Sequence, residues 1–424
     1  MHLHAVTAVP YYNSTPTVIT GGVTTPKGFS AWGDFIGIKK KRPDLALIVA
    51  DVPCTFALCS TQNTVKAASV LWCQQVLATQ ATMQAIVINS GNANACTGET
   101  GLQHTQQMAA VTAQSVGIDA AAVLVASTGI IGVPLPIEVL IKGIPTVAKQ
   151  RVKTAVGGTA AAEAIRTTDT FAKEACVTIE LGGKTVTLGG MAKGSGMIHP
   201  NMATMLGFVT TDAAITKPLL QKALSTVVAD TYNQISVDGD TSTNDMVAVL
   251  ASGLAGNTLI EDEASTAYTQ FVSALKLLNT LLAKQIAKDG EGASKLLEVV
   301  VTQAATTHQA KALAKAVISS NLVKSAFFGE SANWGRILSA MGGTGLAFNP
   351  AMVSMQIVAI ETGNSVSFFE AGQPVVYQPE QAKAVLQATE LRVCVQLGLG
   401  NATGTAWGCD LTHQYVTINA DYMT

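Results

Sequence analysis

Apolar residues are distributed along this chain in two distinct patterns. Short unbroken runs at 45–50, 85–88 and 123–126 end in small or polar residues, which suits strands buried on both faces that hand over to loops. Over 263–288, by contrast, Phe271, Leu275, Leu278, Leu282 and Ile286 return at steps of three and four, with Lys276, Lys284 and Lys288 between them. That spacing predicts an amphipathic helix lying on a sheet. Further strands are expected at 205–210, 296–301, 353–360, 366–369 and 391–397, with Gly363-Asn364 turning a hairpin between two of them. The pattern as a whole reads as α/β with substantial antiparallel sheet. No fixed-period repeat, low-complexity tract or long Pro/Ser linker interrupts it, and composition marks no domain boundary.

Composition narrows the class. With 424 residues, 48% of them hydrophobic and only 13% charged, the chain can bury a large core, and two core-bearing lobes are the soft expectation. So few charges also suggest apolar surface covered by a second subunit. The formal net charge of −2 supplies no field for a polyanion, so nucleic acid is not expected as a partner. The single basic run, Lys39-Lys40-Lys41-Arg42 before Pro43, reads as a solvated turn. Seven cysteines without a Cys-x-x-Cys pair suit reduced thiols in a cytoplasm. The start lacks the features of a secretory signal, and the most apolar window, 123–141, is broken by Ser127, Thr128, Pro134, Pro136 and Glu138, so no membrane span is expected. His2 and His4 have no acidic or cysteine neighbour and read as incidental. Asp238, Asp240 and Asp245 resemble part of a calcium loop but lack its closing glutamate; they read as turn and cap residues, and no metal is expected.

Candidate chemistry concentrates at 191–206, which is glycine-rich and then abruptly apolar. Gly194 and Gly196 permit close backbone approach or positive φ, Pro200 stiffens the backbone after them, and Thr204 opens a strand-like segment. Lys193 precedes the glycines, so the segment is not a phosphate-binding loop. Two further loops, Ser127-Thr128-Gly129 and Asn89-Ser90-Gly91-Asn92-Ala93-Asn94, come after buried runs and could aim donors at a developing anion; a plain turn is the competing reading of each.

These blocks, taken together, resemble the ornithine acetyltransferase family, the bifunctional glutamate N-acetyltransferases of arginine biosynthesis. The likeness covers nearly the whole chain. It also includes Gly21-Gly22-Val23, Thr167-Thr168-Asp169-Thr170, the block from Asp238 to Asp245, Asp289-Gly290-Glu291-Gly292, Asn333-Trp334-Gly335-Arg336 and Ala406-Trp407-Gly408-Cys409-Asp410. Thr24-Thr25 and Glu330-Ser331-Ala332 depart from the family's usual residues, though not at positions it uses for catalysis.

The resemblance implies an αββα layered sandwich of the self-processing N-terminal-threonine type, with a second, smaller α/β lobe. It implies cleavage between Ala203 and Thr204 into pieces 1–203 and 204–424 that remain one folded unit. Thr204 would be the nucleophile, its freed α-amine the general base, and Thr128 and Gly129 the oxyanion hole. Thr167, Lys193, Thr204, Glu291, Asn419 and Thr424 would line the substrate pocket. By charge, Lys193 suits a substrate carboxylate and Glu291 an ammonium, although either alone reads as a surface ion pair. The implied cycle carries acetyl from N-acetylornithine to glutamate through an acetyl-threonine and needs no cofactor. Acetyl-coenzyme A stays open as a second donor. A heterotetramer of two N-terminal and two C-terminal pieces is the implied assembly. The alternative is a self-processing amidase or aminopeptidase, which would hand the acyl group to water; a non-catalytic binding relative would be expected to lack the nucleophile or the oxyanion loop.

Overall fold

The computed structural model describes residues 15–199 and 205–421. His2, His4, Ala203, Thr204 and Thr424 therefore lie outside the described residues. The larger sheet has nine strands: β1 (Thr17–Ile19), β2 (Phe29–Asp34), β3 (Leu45–Ser60), β4 (Met83–Asn92), β5 (Val123–Ile130), β6 (Lys173–Leu181), β7 (Lys184–Lys193), β8 (Leu206–Thr211) and, beyond a short β9 (Ile235–Ser236) that joins another sheet, β10 (Met246–Ala251). Six helices flank it: α1 (Ala68–Thr79), α2 (Gly98–Val116), α3 (Ile137–Gln150), α4 (Ala155–Ala164), α5 (Lys217–Asp230) and α6 (Thr266–Lys288).

The long strand β3 makes this sheet a sandwich. Its first half pairs antiparallel with β2 and β4; past an irregularity between Val49 and Cys54, its second half pairs with β10. Strand side chains alternate faces, so Ala46, Ile48, Phe56 and Leu58 of β3 all point inward. They meet Ile86, Ile88, Leu124 and Ala126 from one half and Met191, Leu206, Phe208, Met246 and Leu250 from the other. Leu45, Leu47, Val87 and Val125 face outward onto Met108, Leu140 and Ile144 of α2 and α3. On the opposite outside, Val177, Leu188 and Val209 meet Leu224 and Val228 of α5 and Phe271, Leu275, Leu278 and Leu282 of α6. The layers thus run α, β, β, α, as expected.

The second lobe holds β11 (Leu296–Ala304), β12 (Ser354–Ala359), β13 (Ser365–Glu370), β14 (Gln373–Pro374), β15 (Glu390–Gln396) and β16 (Ala402–Cys409), in the order β14-β13-β12-β15-β11-β16-β9. Helices α7 (Thr307–Ser319), α8 (Asn321–Phe328), α9 (Gly335–Gly342) and α10 (Pro379–Leu386) surround its core, and α11 (His413–Asp421) is the last described element. Because β9 comes from the sandwich segment and pairs parallel with β16, the lobes are joined by shared sheet.

Two expectations change. The run 45–50 does not end in a loop; the strand continues to Ser60, and the polar and turn-forming residues after it, Asp51 with Pro53, occupy the bend where β3 passes from one half-sandwich to the other. Likewise Ser127-Thr128-Gly129 is not a loop but the end of β5, still paired in parallel with β4. The strands flanking residues 200–204 are direct neighbours: Lys193 at the end of β7 stands opposite Leu206 at the start of β8.

Candidate active site

One cavity gathers every described residue that the resemblance placed at the site. Thr128, Gly129, Thr167, Lys193, Glu291 and Asn419 line it together, although they come from β5, the segment before β6, β7, the loop after α6, and α11. Ile198 and Met205 line it too, so the chain enters and leaves residues 200–204 at the cavity wall.

Each side chain is held by local geometry. Gly129 has φ +133°, and a Cβ there would lie 2.3 Å from the carbonyl carbon of Gly91 and 2.5 Å from the Asn92 nitrogen. Only glycine lets β5 close so tightly on the bulged end of β4. Its neighbour Thr128 accepts a hydrogen bond at Oγ1 from Lys193 Nζ at 3.3 Å, which directs the hydroxyl proton away from the lysine. Lys193 is 8% exposed and Glu291 6%, so neither is a surface ion-pair residue. Burial lowers the Lys193 pKa, opposed chiefly by the negative charge of Asp169. Glu291 Oε2 accepts from Asn419 Nδ2 at 2.7 Å. A Cβ on Gly196 would sit 2.3 Å from the Glu291 carboxylate, so the close approach expected of that glycine is realised; neither Gly194 nor Gly196 has positive φ.

The flanks of the 200–204 segment are pinned. Asp238 accepts from the amides of Met197 at 2.6 Å and Ile198 at 2.8 Å, and Thr241 Oγ1 donates to the His199 carbonyl at 2.9 Å. On the far side, the Met246 amide donates to the Met205 carbonyl at 3.0 Å. Asn244 Nδ2 donates to the carbonyls of Ala93 and, at 2.8 Å, Ser127, which clamps the end of β5 beside the cavity. The polar block 238–245 is thus the frame of the site. Asp238 does hold loop amides, as read from sequence, but Asp245 is buried at the cavity wall and is not a turn residue. Sequence reasoning assigned no role to Asp169, Asn244 or Tyr415; the available signal was the density of polar residues in those blocks of an apolar chain. Burial, then the negative charges of Asp238, Glu291 and Asp240, push the Tyr415 phenol up.

Two other readings are corrected. The segment 89–94 is no anion cradle: the amides of Ser90, Ala93 and Asn94 donate to the Asp44 carbonyl, the Ile130 carbonyl and Asn92 Oδ1, and the Asn89 amide group donates to the Asn92 carbonyl at 2.8 Å. Nor is the basic run wholly solvated. Lys39 Nζ turns inward to the carbonyls of Pro43, at 2.9 Å, and Arg166, and burial lowers its pKa to about 8. Among the described residues, no group of three or more His, Cys, Asp or Glu is placed to hold a metal.

The ArgJ family profile matches residues 30–424. The bifunctional arginine-biosynthesis protein ArgJ of Bacillus anthracis is 47% identical over 411 residues, 97% of this chain and 99% of that one. Its counterpart from Symbiobacterium thermophilum is 49% identical over 409 residues, 96% of this chain and 99% of that one. Among solved structures, ArgJ from Bacillus halodurans is 46% identical and matches 45% of this chain and 100% of its own, with a TM-score of 0.44. Ornithine acetyltransferase complexed with ornithine, from Mycobacterium tuberculosis, is 41% identical with the same coverages and a TM-score of 0.41. With the family profile and the relatives from Bacillus anthracis and Symbiobacterium thermophilum all spanning nearly its full length, the chain belongs to the ArgJ family.

Proposed function

We propose that this chain, an acyltransferase of arginine biosynthesis, carries an acetyl group from N-acetylornithine to glutamate on Thr204. The observation that carries the reading is the convergence of Thr128, Gly129, Lys193 and Glu291 on the cavity where the chain passes into residues 200–204. In the processing step the Thr204 hydroxyl attacks the Ala203 carbonyl, the peptide becomes an ester, and water releases the Ala203 carboxylate and a free Thr204 α-amine. That amine has a reference pKa of about 7.7–8.0, so near neutral pH part of it is free to take the hydroxyl proton.

In the acetyl-transfer cycle the Thr204 oxygen attacks the acetyl carbonyl of N-acetylornithine. The Thr128 hydroxyl and the Gly129 amide stabilise the oxyanion, and the ornithine nitrogen leaves with the proton. Glutamate then attacks the ester with its own amine and restores the hydroxyl. Lys193 and Glu291 supply opposite charges for the carboxylate and ammonium of the ornithine skeleton. Thr167, Asn419 and Thr424 complete the pocket. The cycle requires no cofactor. The working protein is a cytoplasmic heterotetramer of two 1–203 and two 204–424 pieces, engaging neither nucleic acid nor membrane. Among the described residues no helix is long and apolar enough to cross a membrane.

Trapping tests the cycle. Processed protein given N-acetylornithine without glutamate, then quenched in acid, should carry about 42 Da on the residue that begins the C-terminal piece, the mass gained when an acetyl ester replaces a hydroxyl proton. Glutamate should discharge it as N-acetylglutamate. Steady release of free acetate with no dependence on glutamate would instead make the protein a hydrolase and overturn the transferase reading.

A further inference from the structure

Behind the cavity wall lies a buried ion cluster that the acetyl-transfer cycle does not use. Lys173, fully buried, donates to Asp169 Oδ1 and to Asp289 Oδ2, each at 2.6 Å. Asp169 also accepts from the amides of Thr167 at 2.9 Å and Gly194 at 2.8 Å. Asp289 accepts from the Thr170 amide at 3.0 Å and from its hydroxyl, and the Asp289 carbonyl accepts from Ser195 Oγ at 2.7 Å. One cation and two carboxylates thus tie together the segments bearing Thr167, Lys193 and Glu291. Two carboxylates on one buried ammonium leave the cluster with net negative charge, and the nearest use for it is the Lys193 amine, next in sequence to Gly194.

We propose that Asp169 is a positioning residue that acts through Lys193 on Thr128: its negative charge keeps the Lys193 amine protonated, and the protonated amine turns the Thr128 hydroxyl into the cavity. An ammonium has no lone pair, so at 3.3 Å Lys193 can only donate to Thr128 Oγ1, and the Thr128 proton must point elsewhere. A neutral amine has a lone pair free to accept from that hydroxyl, which would compete with its use as an oxyanion donor. The groups acting on the Lys193 charge are the anions Asp169, Asp245 and Glu291 and the cations Lys173 and Lys39; Asp169 is the strongest of the anions, against a burial effect that favours the neutral amine. The Asp169 carboxyl is itself held well below the usual carboxylate range. Burial alone would raise it, but the charges of Lys173 and Lys193 and the Gly194 amide outweigh that.

The inference rests on the acetyl-transfer reading, since it concerns the donor to the oxyanion. Its test compares kcat for acetyl transfer in wild type and Asp169→Asn from about pH 6 to pH 9, where the ionisation of the catalytic amine cancels in the ratio. The ratio should approach about a hundredfold at high pH, the usual loss for one oxyanion donor, and fall toward one at low pH as Lys193 regains its proton. Competitive labelling with trace acetic anhydride, read by mass spectrometry at the Lys193 peptide, should show the midpoint of Lys193 reactivity moving to lower pH in Asp169→Asn. It should move by less in Asp289→Asn, which lowers the net charge of the cluster but keeps the Asp169 carboxylate, the strongest anion acting on Lys193. A ratio that is flat with pH, or an unmoved midpoint, overturns the proposal. If Asp169→Asn does not fold, Thr128→Ala gives a second route, because the alkaline fall in kcat that tracks Lys193 should vanish once the hydroxyl is gone; its persistence overturns the proposal equally. A shifted midpoint in a protein that transfers no acetyl at all would leave the Asp169 control of Lys193 standing and sink the functional reading instead.

Discussion

At the scale of single residues the site depends on small groups in tight places. Gly129→Ala should destabilise the fold by about 3 kcal/mol or more, because strained φ and a backbone collision act together; a thermal melt within a degree or two of wild type would show that β4 and β5 can part to admit a methyl. Thr204→Ala should yield a folded chain that runs as one band on a denaturing gel and transfers no acetyl, since the residue lost is proposed as both agent of cleavage and acyl acceptor. Normal processing of that variant would move the break elsewhere. Thr128 and Gly129 could be read from the sequence as donors to an anion, with a plain turn competing, and the family resemblance gave them the oxyanion; Lys193 and Glu291 owed their place to the resemblance, since each alone reads as a surface ion pair. Burial is not legible in a lysine and a glutamate almost a hundred positions apart. Asp169 was missed although Lys173 lies only four positions on, because Gly194 and Lys193 reach it only after β6 and β7 pair.

At the scale of elements the hydrophobic pattern told most. The three- and four-residue rhythm from Phe271 to Ile286 became α6, and the runs at 85–88 and 123–126 became the cores of β4 and β5. The bend of β3 was not legible, because Asp51 and Pro53 signal a turn locally while pairing on both sides carries the strand on. Helix α11 carries Asn419 to the cavity wall. It seats against Gly292, where a Cβ would sit 2.7 Å from Gln414 Cβ, and brings Asn419 to Glu291. Removing residues 419–424 should raise KM for N-acetylornithine about tenfold, the order expected when a charge-assisted hydrogen bond of roughly 1.5 kcal/mol is lost, with little change in processing. An unchanged KM would take α11 out of the substrate site.

On the scale of the whole molecule the interior stores protons on thiols. All seven cysteines are free, and of them only Cys96 is exposed; burial pushes Cys54 and Cys73 up to about 12 and Cys176 and Cys409 up to about 11. The folded values lie above the unfolded reference of about 8.5, so the stability from keeping these thiols protonated is complete below that pH and is lost as pH rises toward 11–12. Under reducing conditions the melting temperature should therefore decline above about pH 8.5, and a thiol reagent at neutral pH should modify Cys96 quickly and the buried thiols only after denaturant. Rapid reaction of Cys54 or Cys73 in the native protein would contradict the buried core. The position of α11 has one more consequence, which concerns synthesis. A chain emerging from the ribosome folds from its first part onward, and the parts that frame residues 200–204, namely β5, β7 and the 238–245 block, are all made well before α11. The proposed break at that segment, needing no part of α11, would then begin on a nascent chain that lacks the proposed binding residue Asn419, so the order of translation itself would separate maturation from turnover.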